Sequence, residues 1–417
     1  MRLTMREKFS VTKVIASRYK KASKKEKQTI LDEFIKLTSY NRSYASHLLS
    51  SFDKKLFIDK DRFVNDLHNR NPRGKPSIYN EPFLKSALKS IWIIMDCICG
   101  KRLAPILREV ISRLEFHREL SLDAKTRRLL LKISPATIDR LLAEDRKKLN
   151  SSIRSKAKPG SLLKSQIPIR TFSEWNEACP GFVEIDLVAH EGGIRSGDFL
   201  QTLDVTDVCT GWTETQAVRN KAQIWVFEAL KEIRARLPFE LLGIDSDNGG
   251  EFINNQLLRY CQEQKITFTR SRAIKKNDNC YVEQKNYSVV RRAVGYLRYD
   301  SEKELRMLNE LYGNLRLYVN YFQPVMKLVE KTREGSKVKR KYDKAQTPYK
   351  RVMEQGEISK EKKARMKKEY ERLNPAKLKR EITRIQNELI EEGKKKEKKE
   401  KTDDKKRVCA KAVAGKK

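Results

Sequence analysis

No stretch of this 417-residue chain comes near the roughly 18–20 apolar residues of a membrane span. Its best run, Ile91 to Met95, is broken by Asp96. The first residues carry no apolar secretory core, so a cleaved leader is not expected. Cysteine is sparse: seven residues, an odd number, with no Cys-x-x-Cys spacing. That usage argues for a reduced compartment and against a disulfide framework. Cys97 and Cys99 have no second Cys or His pair nearby and read as core of an apolar helix. Histidine is scarcer still, with His47, His68, His117 and His190 dispersed along the chain. Acid is short relative to base, 55 Asp/Glu against 91 Lys/Arg, for a net charge of +36 and a pI near 9.9. Such an excess points to a polyanionic partner, nucleic acid before membrane.

The charge is unevenly placed. Residues 181–300 hold 16 Lys/Arg against 17 Asp/Glu, a net of −1, which leaves +37 to the rest. Hydrophobic residues make up 39% and charged residues 35%, enough for a core with much surface or tail around it. The length predicts about two to four domains.

Three acids stand out in the near-neutral stretch. Asp186 lies in the apolar run Phe182–Ala189, Asp247 opens an Asp-Asn-Gly turn just after the run Leu241–Ile244, and Glu283 starts a helix. Between Asp247 and Glu283 there are 35 residues. A carboxylate in an apolar strand is costly to bury unless it is paired or binds a metal. Three that converge would hold two hard cations through oxygen. Taken singly, each signal has an ordinary explanation: Asp-Asn-Gly is a common turn, and a Glu at a helix start serves the helix dipole. Order, spacing and context together resemble the DDE catalytic core of retroviral integrases and insertion-sequence transposases. Val282, Glu283 and Asn286 match the Val-Glu-x-x-Asn context of that family's glutamate.

The resemblance covers roughly residues 175–352, and the amino-terminal modules loosely. It implies an α/β ribonuclease-H-like core with a mixed five-stranded sheet, first and fourth strands side by side. Asp186, Asp247 and Glu283 would be both catalytic residues and ligands of two Mg²⁺ (or Mn²⁺) ions, with Asp245 and Asn286 supporting them. The implied partners are element ends and target DNA, with a homo-oligomer on the DNA and no nucleotide cofactor. Two departures matter: Cys280 stands where retroviral enzymes carry Gly, with Tyr281 beside it, and the His/Cys zinc module of those enzymes is absent.

Read in order, residues 1–52 form helices in a helix-turn-helix layout or an ordinary three-helix packing unit, with Arg42 a candidate DNA contact. Residues 53–80 are a basic linker whose Asn69–Pro76 arm either follows DNA or is an inert tether. Residues 81–150 hold a second helix-turn-helix candidate, with Ser134 as N-cap, Pro135 at the first helical position and Arg140 as a contact. A linker (151–172) leads to the catalytic core (173–322). There a loop bearing Arg270, Arg272, Lys275 and Lys276 lies before the Glu283 helix, either holding DNA or merely solvated. A basic hairpin region (323–355) follows, then a charged helix with little apolar face and a disordered basic tail (356–417). Its last segment, 394–417, carries 12 Lys/Arg against 4 acids. The multidomain chain thus reads as a DNA transposase or integrase, cytoplasmic, DNA-associated and prokaryotic. A catalytically silent DNA-binding regulator is the rival, and a nuclease on RNA–DNA hybrids a third reading.

Overall fold

The computed structural model describes residues 3–52, 55–59, 62–65, 78–149, 179–193, 196–247, 249–252, 254–270, 279–334 and 337–414. Two compact units emerge, Met1–Ile78 and Tyr79–Lys417.

In the first unit, α1 (Met5–Lys21), α2 (Lys24–Thr38) and α3 (Arg42–Ser51) occupy the expected helical segments. Their starts are set by capping: the Thr4 and Ser23 N–H groups donate to Glu7 and Glu26 at 2.7 Å, and Asn41 accepts from Ser43 N–H at 2.9 Å. Ser39, at φ 57°, makes the left-handed turn between α2 and α3. Ala16, Leu31, Phe34, Ala45 and Leu49 form the core. The expected linker contains an antiparallel pair, β1 (Lys55–Asp59) and β2 (Arg62–Asn65). That corrects the reading of 53–80 as a linker throughout. The Asn69–Pro76 arm lies outside the described residues.

The second unit opens with helices: α4 (Pro82–Ile94), α5 (Gly100–Leu103), α6 (Leu107–Phe116), α7 (Ala124–Lys132), α8 (Pro135–Leu141) and α9 (Ala143–Leu149). Gly100 is dictated by close approach, since a Cβ there would stand 2.1 Å from the Pro135 carbonyl oxygen. The sheet follows. Strands β3 (Phe182–Ala189), β4 (Gln201–Asp207) and β5 (Thr213–Val218) form an antiparallel meander. After α10 (Gln223–Arg236), β6 (Gly243–Ser246) pairs parallel to β3; after α11 (Asn255–Glu263), β7 (Thr267–Arg270) pairs parallel to β6. The strand order is β5-β4-β3-β6-β7, a mixed five-stranded sheet consistent with a ribonuclease-H-like core. Its first and fourth strands are neighbours.

The chain then runs through α12 (Cys280–Lys285), a π-helical turn at Asn286–Arg291, α13 (Arg292–Val294) and α14 (Glu302–Phe322). A hairpin of β8 (Leu328–Glu334) and β9 (Lys337–Tyr342) follows, then α15 (Pro348–Glu354), α16 (Lys360–Arg372) and α17 (Pro375–Ala414). The carboxy-terminal reading needs correction. Leu378, Ile382, Ile385 and Leu389 recur every three or four residues of α17 and are buried, a one-residue-per-turn stripe that packs into the main core. The backbone remains helical to Ala414, where the composition predicts an unfolded tail. One apolar cluster joins the helices after Tyr79, the sheet and α17.

Candidate active site

Strand β3 sets the site by its two-residue alternation. Val183 and Ile185 turn into the apolar core, each no more than 1% exposed, while Glu184 and Asp186 share the opposite face. Asp186 is half-buried; its Oδ1 accepts from the Leu187 N–H at 2.8 Å and its Oδ2 from Asn286 Nδ2 at 2.6 Å. Asp247 follows β6 directly. Its Oδ1 accepts from the Gly249 N–H at 2.8 Å, closing an Asx turn. A Cβ on Gly249 would stand 2.9 Å from that same oxygen, so the turn needs glycine there. Glu283 occupies the first turn of α12 on its exposed side.

What holds α12 over the sheet is a carboxylate the sequence analysis passed over. Glu184, 1% exposed, accepts from the N–H groups of Tyr281 and Val282 at 2.8 and 2.9 Å, two of the donors a helix start leaves without intrahelical partners. Asn286 ties the far end of the same turn to Asp186. Glu283 lies between these two anchors, both on β3. A parallel arrangement serves Asp247. Asp245, 1% exposed, accepts from Thr269 Oγ1 at 2.6 Å. With its amide turned to satisfy both neighbours, Asn279 donates to Asp245 Oδ2 at 3.0 Å and accepts from the Asp247 N–H at 3.0 Å. Asp245 thus acts on Asp247 through Asn279. The sequence hints at Glu184 only through its place two residues before Asp186.

Asp186 lies within reach of the charges of both other acids. Burial pushes the Asp186 carboxyl up to about 7, and the negative charges of Asp247 and Glu283 push in the same direction, against hydrogen bonds from Leu187 and Asn286. Asp247 is raised by burial and by Glu251, against the Gly249 N–H. Behind Asp186, its register partner Asp204 is fully buried and raised to about 8 by burial, with Lys285 pulling it down. Among the described residues no three His, Cys, Asp or Glu side chains stand close enough to cage a metal ion. The donor set nevertheless fits a hard divalent cation. Its donors are carboxylate oxygens, and both charges acting on Asp186 are negative, a repulsion that a cation would relieve.

No protein-family model matches the sequence. The y4rM protein of Sinorhizobium fredii (strain NBRC 101917 / NGR234), itself uncharacterized, is 39% identical over 341 residues, 82% of this chain and 93% of that one. The chain belongs to that protein's family. Among solved structures, the catalytic core domain of BIV integrase is similar at 15% identity, with a TM-score of 0.28 over 41% of this chain and 91% of that one. The HTLV-2 integrase catalytic core domain, solved in complex with magnesium, gives 14% identity and a TM-score of 0.27 over 35% and 90%. A chain of the simian T-cell lymphotropic virus intasome gives 14% and 0.31 over 51% and 69%.

The candidate DNA contacts fare unevenly in this family member. Arg42 is exposed but ion-paired with Asp32 across α2 and α3. Arg140 is exposed on α8, its guanidinium donating to Thr137 Oγ1 at 3.1 Å. Arg270 is 6% exposed at the end of β7, in register with Ser246. It is the last residue of the strand from which the basic loop departs, and it is buried there. Arg272, Lys275 and Lys276 lie outside the described residues.

Proposed function

We propose that the chain is a DNA transposase or integrase, a polynucleotidyl transferase that cuts at element ends and joins the freed 3′-hydroxyl to target DNA. The observation that supports this reading is the placement of Asp186 within reach of the charges of Asp247 and Glu283. Two sit on or just past adjacent parallel strands, and the third is on a helix turn tied to the first strand at both ends. Asp186, Asp247 and Glu283 would hold two Mg²⁺ or Mn²⁺ ions. When bound, such a pair activates the attacking oxygen and stabilises the leaving oxygen of a phosphodiester displacement. The chain's own part is positioning. Glu184 and Asn286 fix where Glu283 stands, Asn279 fixes the Asp247 backbone, and the Asx turn fixes the Asp247 carboxylate before substrate arrives.

In this reading the amino-terminal helices and α7–α8 are DNA-end readers of helix-turn-helix type, Arg42 and Arg140 are contacts, and Arg272, Lys275 and Lys276 border the scissile phosphate. The excess of base outside the core supplies affinity for the phosphate backbone. Several chains would act together on DNA in a bacterial cytoplasm. Among the described residues no helix is long and apolar enough to cross a membrane. The test is strand transfer of a pre-cut element end into plasmid DNA in Mg²⁺, with ends taken from the DNA flanking the coding region. Product dependent on Mg²⁺ and on Asp186 supports the reading. End-specific binding without any transfer by the wild type favours the silent regulator instead.

A further inference from the structure

Two adjoining cavities, of about 450 and 320 Å³, lie along the helix turn that carries Glu283. They share Gln284, Lys285, Val325, Met326 and Tyr342, and so make one cleft. One wall is α12 with the π-helical turn after it; the other includes residues 325–328 and the end of β9. Six cations line the cleft: Arg102, Lys285, Arg292, Lys327, Arg340 and Lys379. The single lining carboxylate, Asp96, is already paired with Arg292 at 2.6 Å and Lys379 at 2.8 Å. Arg102, Lys285 and Lys327 each donate to a carbonyl, of Pro324, Gly211 and Cys209, with Asp204 behind Lys285 and Asp207 and Asp343 near Lys327 outside the lining of the cleft. Lys285 is only 6% exposed, a cation built into the floor rather than waving at the rim.

Aromatic rings interleave with these charges. Tyr287 and Tyr342 line the cleft yet are 63% and 49% exposed, and Tyr281 stands beside them on α12. Cavities of this size are those of small-molecule pockets, so a base-paired duplex does not enter. Positive charge along a groove with exposed aromatic faces is the chemistry that holds single-stranded nucleic acid, phosphates on the cations and bases stacked on the rings. We propose that this cleft binds a single strand of DNA beside the Glu283 turn, with Arg340 on its phosphates and Tyr342 and Tyr287 against its bases. The proposal rests on the reading of the chain as a DNA-transfer enzyme and adds where an unpaired strand goes.

The experiment uses the full chain and a single-stranded oligonucleotide carrying 5-iododeoxyuridine, irradiated and mapped by peptide sequencing. Crosslinks at Tyr287 or Tyr342 are expected. The exposed double variant Arg340→Ala, Tyr342→Ala should bind that oligonucleotide roughly tenfold more weakly, as loss of one stacked base implies, while duplex affinity changes less than about twofold. Crosslinks confined to other segments, or equal loss on duplex and single strand, would overturn the proposal. So would full displacement by an equimolar free deoxynucleoside monophosphate, which would make the cleft a mononucleotide pocket. The enzyme reading fails separately: Asp186→Asn should crosslink like the wild type, whereas transfer that survives Asp186→Asn removes the reading without moving the crosslink.

Discussion

Glu184 and Asp186 are two residues apart on one face of β3, yet their surroundings differ in kind. Glu184 is sealed at 1% exposure and its Oε2 takes two backbone N–H donors. Its neighbour across the strands, Asp245, is equally sealed and takes Thr269 and Asn279. Asp186 and Asp247 lie one step outward, half-buried, and Glu283 is exposed above them. The charges of Asp247 and Glu283 repel that of Asp186, while the inner pair hold backbone and side-chain donors in place. An inner row that positions and an outer row that reacts would answer differently to the same chemical change.

The largest effect belongs to the outer row. Asp186→Asn, Asp247→Asn and Glu283→Gln each remove an anionic oxygen with little change in volume. Strand transfer of a pre-cut end should fall by about three orders of magnitude or more, the scale of electrostatic and metal-assisted stabilisation. End binding, measured by fluorescence anisotropy, should stay within a few-fold of the wild type. Full transfer by Glu283→Gln would erase the difference between the rows.

The inner row should answer more mildly. Asp245→Asn points an amide N–H₂ at the donating nitrogen of Asn279 and loosens the Asp247 backbone. A loss of about tenfold to a hundredfold in transfer, the range for groups that orient metal ligands, is expected, with a matching rise in the Mg²⁺ needed for half-maximal rate. A dead Asp245→Asn beside an active Asp247→Asn would exchange the roles of the two rows. Glu184 offers a finer test. Glu184→Ala strands two buried N–H donors, each worth about 1–3 kcal/mol when unsatisfied, so it should lower both thermal stability and transfer. Glu184→Gln keeps an acceptor oxygen and should restore most of the transfer rate. If Gln were no better than Ala, hydrogen-bonded positioning of α12 would not be the role of Glu184.

The candidate residues of the outer row and Asp245 of the inner row could be picked out in the sequence, whereas Glu184 could not, for a physical reason. Asp186, Asp247 and Glu283 are marked by local patterns: an acid in an apolar run, an Asn-Gly turn, a helix start. Apolar runs and helical periods mark the strands and helices in chain order, but which strands lie side by side came from the family resemblance, and the pairing of β3 with β6 agrees with it. Glu184 looks like any polar residue on an alternating strand until α12 is laid over it, and that contact spans 97 and 98 residues of chain. The burial of Arg270 at the end of β7 was hidden for the same reason, since a basic residue beside a basic loop gives no local sign of it. The stripe of α17 was readable in principle, one apolar residue per turn, but it was diluted by a run of Lys and Glu. The π-helical turn at Asn286–Arg291 has no pattern that periodicity could find.

The smallest predicted effect separates the rows by pH. Burial and the two outer acids raise Asp186 from its ordinary value of 3.8 to about 7. In the metal-free protein the folded state therefore holds a proton that the unfolded chain has already released. Its contribution to stability is complete below about 4 and is lost as pH rises through about 7. A divalent cation must displace that proton, so apparent Mn²⁺ affinity should rise with pH, by up to about tenfold per unit, and level off above about 7. Calorimetry at pH 6 in two buffers of different ionisation enthalpy should register proton release on Mn²⁺ binding, and less of it at pH 8. Asp186→Asn should weaken binding and flatten the slope. Asp245→Asn should weaken binding and keep the slope, since its carboxylate acts through Asn279 and not on the cation. An Asp245→Asn protein with a flat slope would place Asp245 among the ligands and merge the two rows into one.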